Sequence, residues 1–122
     1  MKARILLIED NELNRDLVEQ LLEDEYDVIS RADGAAGLAA ARESVPDLVL
    51  LDLSLPVMDG WEVARRMRQD PVTTRVPIVA LTAHAMPGDA ERALEAGCDA
   101  YLTKPLDEDR LFATIMELLA DG

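Results

Sequence analysis

"PDLVLLDLSLPVMDG", residues 46–60, is the stretch on which the reading of the fold turns. Leu48 to Leu51 is an unbroken apolar run, and Asp52 follows it directly. A run without polar alternation reads as a strand buried on both faces. A carboxylate ending such a strand needs compensation, because an unpaired charge in a buried place is costly. Pro56 and the Asp59-Gly60 pair then mark a turn before the next helical stretch.

The same kind of run recurs on either side, at Ile5 to Ile8, Val28 to Ile29, Ile78 to Leu81 and Ala100 to Leu102. Between these runs the spacing turns helical. Leu13, Leu17, Val18, Leu21 and Leu22 share one expected face, as do Leu111, Ile115, Leu118 and Leu119. Asn11 and Asp107 are suited to cap these two helices, and Asp33-Gly34, Asp59-Gly60 and Pro87-Gly88 mark other helix starts. The pattern predicts β1 4–8, α1 11–24, β2 27–31, α2 34–43, β3 47–52, α3 60–69, β4 76–82, α4 87–96, β5 99–103 and α5 107–120. Strands alternating with helices make an α/β domain with a parallel sheet covered on both faces. Right-handed crossovers favour a doubly wound arrangement. Chemistry in such folds gathers outside the carboxyl ends of the strands.

Composition bounds what that chemistry is. At 122 residues the chain is read as a single domain over 1–122, without an output domain after α5. Hydrophobic residues are 49% and aromatic residues only 3%, so the core is aliphatic. The net charge of −13 repels phosphate backbones and anionic lipid, which argues against nucleic-acid and membrane partners. A basic protein patch or a divalent cation suits that surface better. Cys98 is the one cysteine, so no intrachain disulfide forms, consistent with a reducing compartment. The apolar run before Glu9 is too short for a signal-peptide core or a membrane span, so a cytoplasmic protein is expected.

Five positions lie at predicted strand ends: Glu9 and Asp10 after β1, Asp52 on β3, Thr82 on β4 and Lys104 after β5. A parallel sheet brings them to one rim. The carboxylates alone would repel and raise each other's pKa. A hard cation such as Mg²⁺ relieves this, since it prefers oxygen ligands together with water and phosphate. Lys104 offers a compact charge for phosphate oxygens, and Thr82 a hydroxyl donor. With no histidine or cysteine in the set, zinc fits poorly. No glycine-rich loop is present to cradle a nucleotide, whereas a carboxylate can itself be the nucleophile and form an aspartyl phosphate.

"LLIEDN", "DLVLLDLSLPVMDG", "VPIVALTA" and "GCDAYLTKPL" resemble, in this order, the signature segments of response-regulator receiver domains of two-component signalling. The resemblance covers nearly the whole chain. It implies a CheY-like, flavodoxin-like (βα)5 fold with strand order 2-1-3-4-5. It implies that Asp52 is the phosphoacceptor, taking its phosphoryl group from a histidine kinase or histidine phosphotransfer protein in the presence of Mg²⁺. By position, Glu9, Asp10, Asp52 and the Ser54 backbone carbonyl would hold the metal. Thr82 and Lys104 would contact the phosphoryl group, and Thr82 with Tyr101 would form the switch. A cis Lys104-Pro105 bond is implied too, and output through the α4-β5-α5 face of a monomer or weak dimer. The chain would then be a stand-alone phospho-receiver that assists its own phosphorylation and dephosphorylation and is otherwise no enzyme. The Ala-rich stretch around 85–105 resembles stand-alone cell-cycle receivers and the receivers of hybrid kinases.

Other residues have plainer readings. Arg65, Arg66 and Arg68 read as a solvated face of α3, Trp61 as a partly exposed surface residue and Cys98 as buried packing. His84 reads as a solvent-facing residue near the rim. Two other functions compete. A Mg²⁺-dependent phosphohydrolase of the haloacid-dehalogenase kind would want a second acid where Ser54 stands, and a cap insertion. A receiver-like protein that binds partners without phosphorylation would not need the full acidic set.

Overall fold

The computed structural model describes residues 2–83 and 86–121. The elements are β1 (Arg4–Ile8), α1 (Glu12–Leu22), β2 (Asp27–Arg31), α2 (Gly34–Glu43), β3 (Leu48–Asp52), α3 (Gly60–Gln69), β4 (Ile78–Thr82), α4 (Asp89–Ala96), β5 (Ala100–Thr103) and α5 (Glu108–Asp121). Every strand pairs in parallel, in the order β2-β1-β3-β4-β5. The expected doubly wound α/β fold is therefore present.

Sequence sets where each strand sits. β3 and β4 are buried along their whole length, and their apolar runs fill the middle of the sheet. β2 and β5 lie at the edges and are partly exposed. Alternate strand residues point to opposite faces, which divides the core in two. Leu6, Ile8, Val49, Leu51, Ile78 and Ala80 meet side chains of α2, α3 and α4, such as Ala41, Val63 and Ala93. Ile5, Leu7, Leu48, Leu50, Val79 and Leu81 meet Val18, Leu22, Leu111 and Ile115 of α1 and α5. Among the described residues no helix is long and apolar enough to cross a membrane.

The caps follow the predicted residues. Asn11, Asp33, Asp59 and Asp107 accept hydrogen bonds from the backbone N–H groups of Asn14, Ala36, Glu62 and Arg110. α1 stops at Leu22, where the Glu23 N–H closes onto the Glu19 carbonyl.

Two expectations are corrected. The five apolar positions of α1 spread over about half the helix circumference at 3.6 residues per turn. The sheet covers only one side of that arc. Val18 and Leu22 are buried and Leu21 is half-buried, but Leu13 is 73% and Leu17 56% exposed. Arg68 is no part of a solvated face. Its guanidinium donates to the carbonyls of Gly97 (2.8 Å), Thr74 (3.1 Å) and Val76 (2.6 Å) and to the Asp99 carboxylate (2.7 Å). At the last turn of α3 it reaches two chain segments, one just before β4 and one at the α4–β5 turn about 30 residues away. Arg65 and Arg66 are exposed and, among the described residues, reach only Glu62, at 3.9 and 3.5 Å.

Trp61 is half-buried on the α2–α3–α4 core, with the Arg92 guanidinium 4.4 Å above its ring. Cys98 is buried, and burial pushes its thiol up to about 11. His84 lies outside the described residues.

Candidate functional site

The alternation that divides the core also gathers the site. Counting in steps of two from Ile5 and Leu7 reaches Glu9, from Leu48 and Leu50 reaches Asp52, and from Leu102 reaches Lys104. All three therefore turn toward the α1–α5 side at the carboxyl rim. Lys104 Nζ lies 2.5 Å from Glu9 Oε1 and 3.5 Å from Asp52 Oδ2. Thr82 follows Ile78 and Ala80, so it leaves β4 toward the other face, where it is 5% exposed. β5 enters the rim through the Lys104 N–H, which donates to the Thr82 carbonyl at 2.7 Å, and the Lys104-Pro105 bond is cis.

Glu9 and Asp52 are only 2% and 3% exposed, whereas Asp10 is open to solvent. One carboxylate oxygen from each of the three lies within 4.8 Å of the others. Burial first, and the adjoining Asp52 carboxylate second, push the Glu9 carboxyl up to about 7 against the opposing pull of Lys104. A converging, all-oxygen set with one open side matches what Mg²⁺ asks of a protein. These residues fit such an ion by donor type and spacing.

The surrounding backbone holds these groups in place. Ser54 is exposed, and its N–H donates to Asp52 Oδ1 at 2.9 Å. Gly60 starts α3 against the end of β3. A Cβ there would fall 2.5 Å from the Asp52 carbonyl oxygen, so only glycine admits this approach. Between them the Met58 N–H closes onto the Pro56 carbonyl at 2.7 Å. This tight turn puts Val57 at φ 65, fully exposed, a strained setting for a β-branched residue.

Sequence reasoning missed one supporting residue. Arg15 Nη1 donates to the backbone carbonyls of Glu9 (2.8 Å) and Asp10 (3.1 Å) and so fixes the loop that carries the acidic pair. A cation near the start of a helix opposes the helix dipole, and that was the available signal. Tyr101 is half-buried on the α2–α3–α4 core, and its hydroxyl is buried without a hydrogen-bond partner among the described residues.

Beside the acidic rim, a cavity of about 390 Å³ runs between α1 and the β5–α5 turn. Glu9 and Lys104 form one end, and Leu17, Leu21, Pro105 and Leu106 line its length. The exposure of Leu17 thus continues an apolar surface up to the polar site.

The response regulator receiver domain family matches residues 5–116. The polar-differentiation response regulator DivK of Brucella anthropi is 40% identical over 123 residues, covering all of both chains. The receiver domain of a sensor histidine kinase from Pseudomonas aeruginosa, solved with a magnesium ion in its active-site cleft, superposes with a TM-score of 0.91. It is 37% identical, over 98% of this chain and 99% of that one. The chemotaxis protein CheY4 of Vibrio cholerae gives 0.90 at 28% identity, over 97% and 99%. A five-stranded sheet in the order 2-1-3-4-5, acidic groups and a lysine converging on its carboxyl rim, and full-length likeness to these relatives agree on one conclusion: the chain belongs to the response regulator receiver domain family of two-component signalling.

Proposed function

We propose that this protein is a phospho-receiver in which Asp52 takes a phosphoryl group from a phosphohistidine. The observation that carries the reading is Lys104 Nζ lying beside both Glu9 and Asp52, with three acidic oxygens within 4.8 Å of one another. An Asp52 carboxylate oxygen attacks phosphorus, an O–P bond forms and the P–N bond breaks. The imidazole leaves with that electron pair and takes a proton from solvent. Glu9, Asp10, Asp52 and the Ser54 carbonyl would hold Mg²⁺, which would supply positive charge to the transferring phosphoryl oxygens. Lys104 pairs with a phosphoryl oxygen, and the Thr82 hydroxyl donates to another. Water later attacks phosphorus, releases inorganic phosphate and restores Asp52. The protein is thus the substrate of its own chemistry and not a turnover enzyme for other molecules.

The donor is a histidine kinase or a histidine phosphotransfer protein. It is met by the apolar mouth of the site, where exposed Leu17 lines the groove shared with Glu9 and Lys104 and exposed Leu13 lies one helical turn before it. Output passes through the α4-β5-α5 face, where Tyr101 of β5 answers the phosphoryl group through Thr82.

Incubation with acetyl phosphate and Mg²⁺, followed by intact mass, tests the assignment. The wild type should gain a single phosphate, and Asp52→Asn should gain none while keeping its fold by circular dichroism. Phosphorylation of Asp52→Asn at the wild-type rate would refute the choice of acceptor.

A further inference from the structure

We infer that the groove between α1 and α5, away from the acidic rim, is a docking site for a basic amphipathic helix of a partner protein. The groove encloses about 530 Å³. Its apolar wall is Leu21, Phe112, Ala113 and Met116, and Met116 is 61% exposed. Phe112 is held against Tyr26 with ring centroids 6.4 Å apart, so the wall is built on the core. All the charged residues of the lining are acidic: Asp24 and Glu25 after α1, Glu108 and Asp109 on the first turn of α5.

The placement of Asp24 and Glu25 makes this surface unusual. Negative charge at a helix C-terminus opposes the helix dipole, and the last turn of α1 carries no basic residue. The nearest cation sits at the end of α1 itself. Lys2 Nζ donates to the Glu23 carbonyl, and Arg110 lines a separate small cavity beside Pro105. Asp24 and Glu25 thus stand against the helix-dipole preference beside an apolar wall, and none of the four lining carboxylates has an ion pair among the described residues. Such breaches of local preference concentrate at functional surfaces. An apolar stripe flanked by lysine or arginine on a helix matches both features. A second copy of this chain does not, since each carries −13. An anionic membrane is repelled for the same reason.

The probe is a synthetic helical peptide of leucine and lysine with its leucines on one face, set against a scrambled peptide of identical composition. Both are titrated into the isotope-labelled full chain and followed by amide NMR. The amphipathic peptide should bind at least about tenfold more tightly, a difference that plain charge attraction does not give. Its shifts should centre on Leu21, Ala113 and Met116. Met116→Lys, and Asp24→Lys combined with Glu25→Lys, should each weaken binding by about tenfold, with melting temperatures unchanged or raised. Equal binding of the two peptides, or shifts centred on the Lys104–Pro105 cavity, would overturn the proposal. So would concentration-dependent shifts without peptide, which would assign the groove to a second copy. None of these readouts depends on phosphorylation of Asp52.

Discussion

Glu9 shows how far a neighbourhood changes one side chain. Its carboxyl ordinarily titrates at 4.5, but in the fold burial and Asp52 raise it to about 7. Below pH 4.5 the folded and unfolded chains both hold this proton. Between 4.5 and about 7 only the folded chain does, so stability falls as pH rises through that window and levels off above it. In chelator, the melting-temperature difference between wild type and Glu9→Gln should therefore move against the wild type over that range. Mg²⁺ should reduce the change, because a bound cation stabilises the ionised carboxylate. A difference that is flat from pH 4.5 to 7 would show that Glu9 does not hold its proton in the fold. Asp52 lies only 3% exposed in the same pocket, with the Ser54 N–H and Lys104 as its partners.

At the scale of elements, Arg68 joins α3 to the segment before β4 and to the α4–β5 turn. Asp99 accepts both from Arg68 and from the Ile78 N–H, 2.8 Å away, at the first residue of β4. Gly97 closes α4 at φ 111 and offers its carbonyl to the same guanidinium. Removing one charged donor leaves several acceptors unpaired at once. Arg68→Ala should cost about 2 kcal/mol, given hydrogen bonds to charged groups worth about 1.5–3 kcal/mol and partial solvent access to the acceptors left behind. Arg65→Ala and Arg66→Ala should each stay within about 0.5 kcal/mol. Urea unfolding checks this, and equal effects of the three substitutions would count against the Arg68 network. The helical face of α1 and the arginines of α3 show the limit of reading elements singly. Spacing named the candidates, but which Leu is covered and which Arg finds carbonyls depends on segments that periodicity does not locate.

For the whole molecule, the proposed function requires that phosphorylation of Asp52 be felt at a distant face. Thr82 ends β4, and its neighbour across the ladder is Thr103, two residues past Tyr101. Tyr101 already packs on the core with its hydroxyl buried, so an outward rotamer would exchange buried ring surface for a solvated hydroxyl. Two packings of similar free energy are what a phosphoryl contact can rebalance. A single charge-assisted hydrogen bond from Thr82, worth about 1.5–3 kcal/mol, shifts such a balance by roughly tenfold to a hundredfold. Thr82→Ala should keep Asp52 phosphorylatable but lose most of the gain in partner affinity that beryllofluoride induces. Titration of an output partner with and without the mimic measures that gain. Its full retention in Thr82→Ala would place the coupling elsewhere.

The amino-acid sequence by itself determined the ten elements, their α/β alternation and the residue types at the strand ends. These are local properties: periodicity, capping side chains, and a carboxylate or lysine where an apolar run stops. It also carried the likeness to the receiver family, and with it the strand order that the sheet adopts. Only the tertiary structure decided that Leu13 and Leu17 stay exposed, that Arg68 gathers three carbonyls and a carboxylate, that Val57 takes a positive φ and that burial beside Asp52 pushes the Glu9 carboxyl up. The reason is physical. Burial and electrostatic energy depend on distances in space, and the pair that sets the charge balance of the site, Glu9 and Lys104, is 95 residues apart along the chain and 2.5 Å apart in the fold.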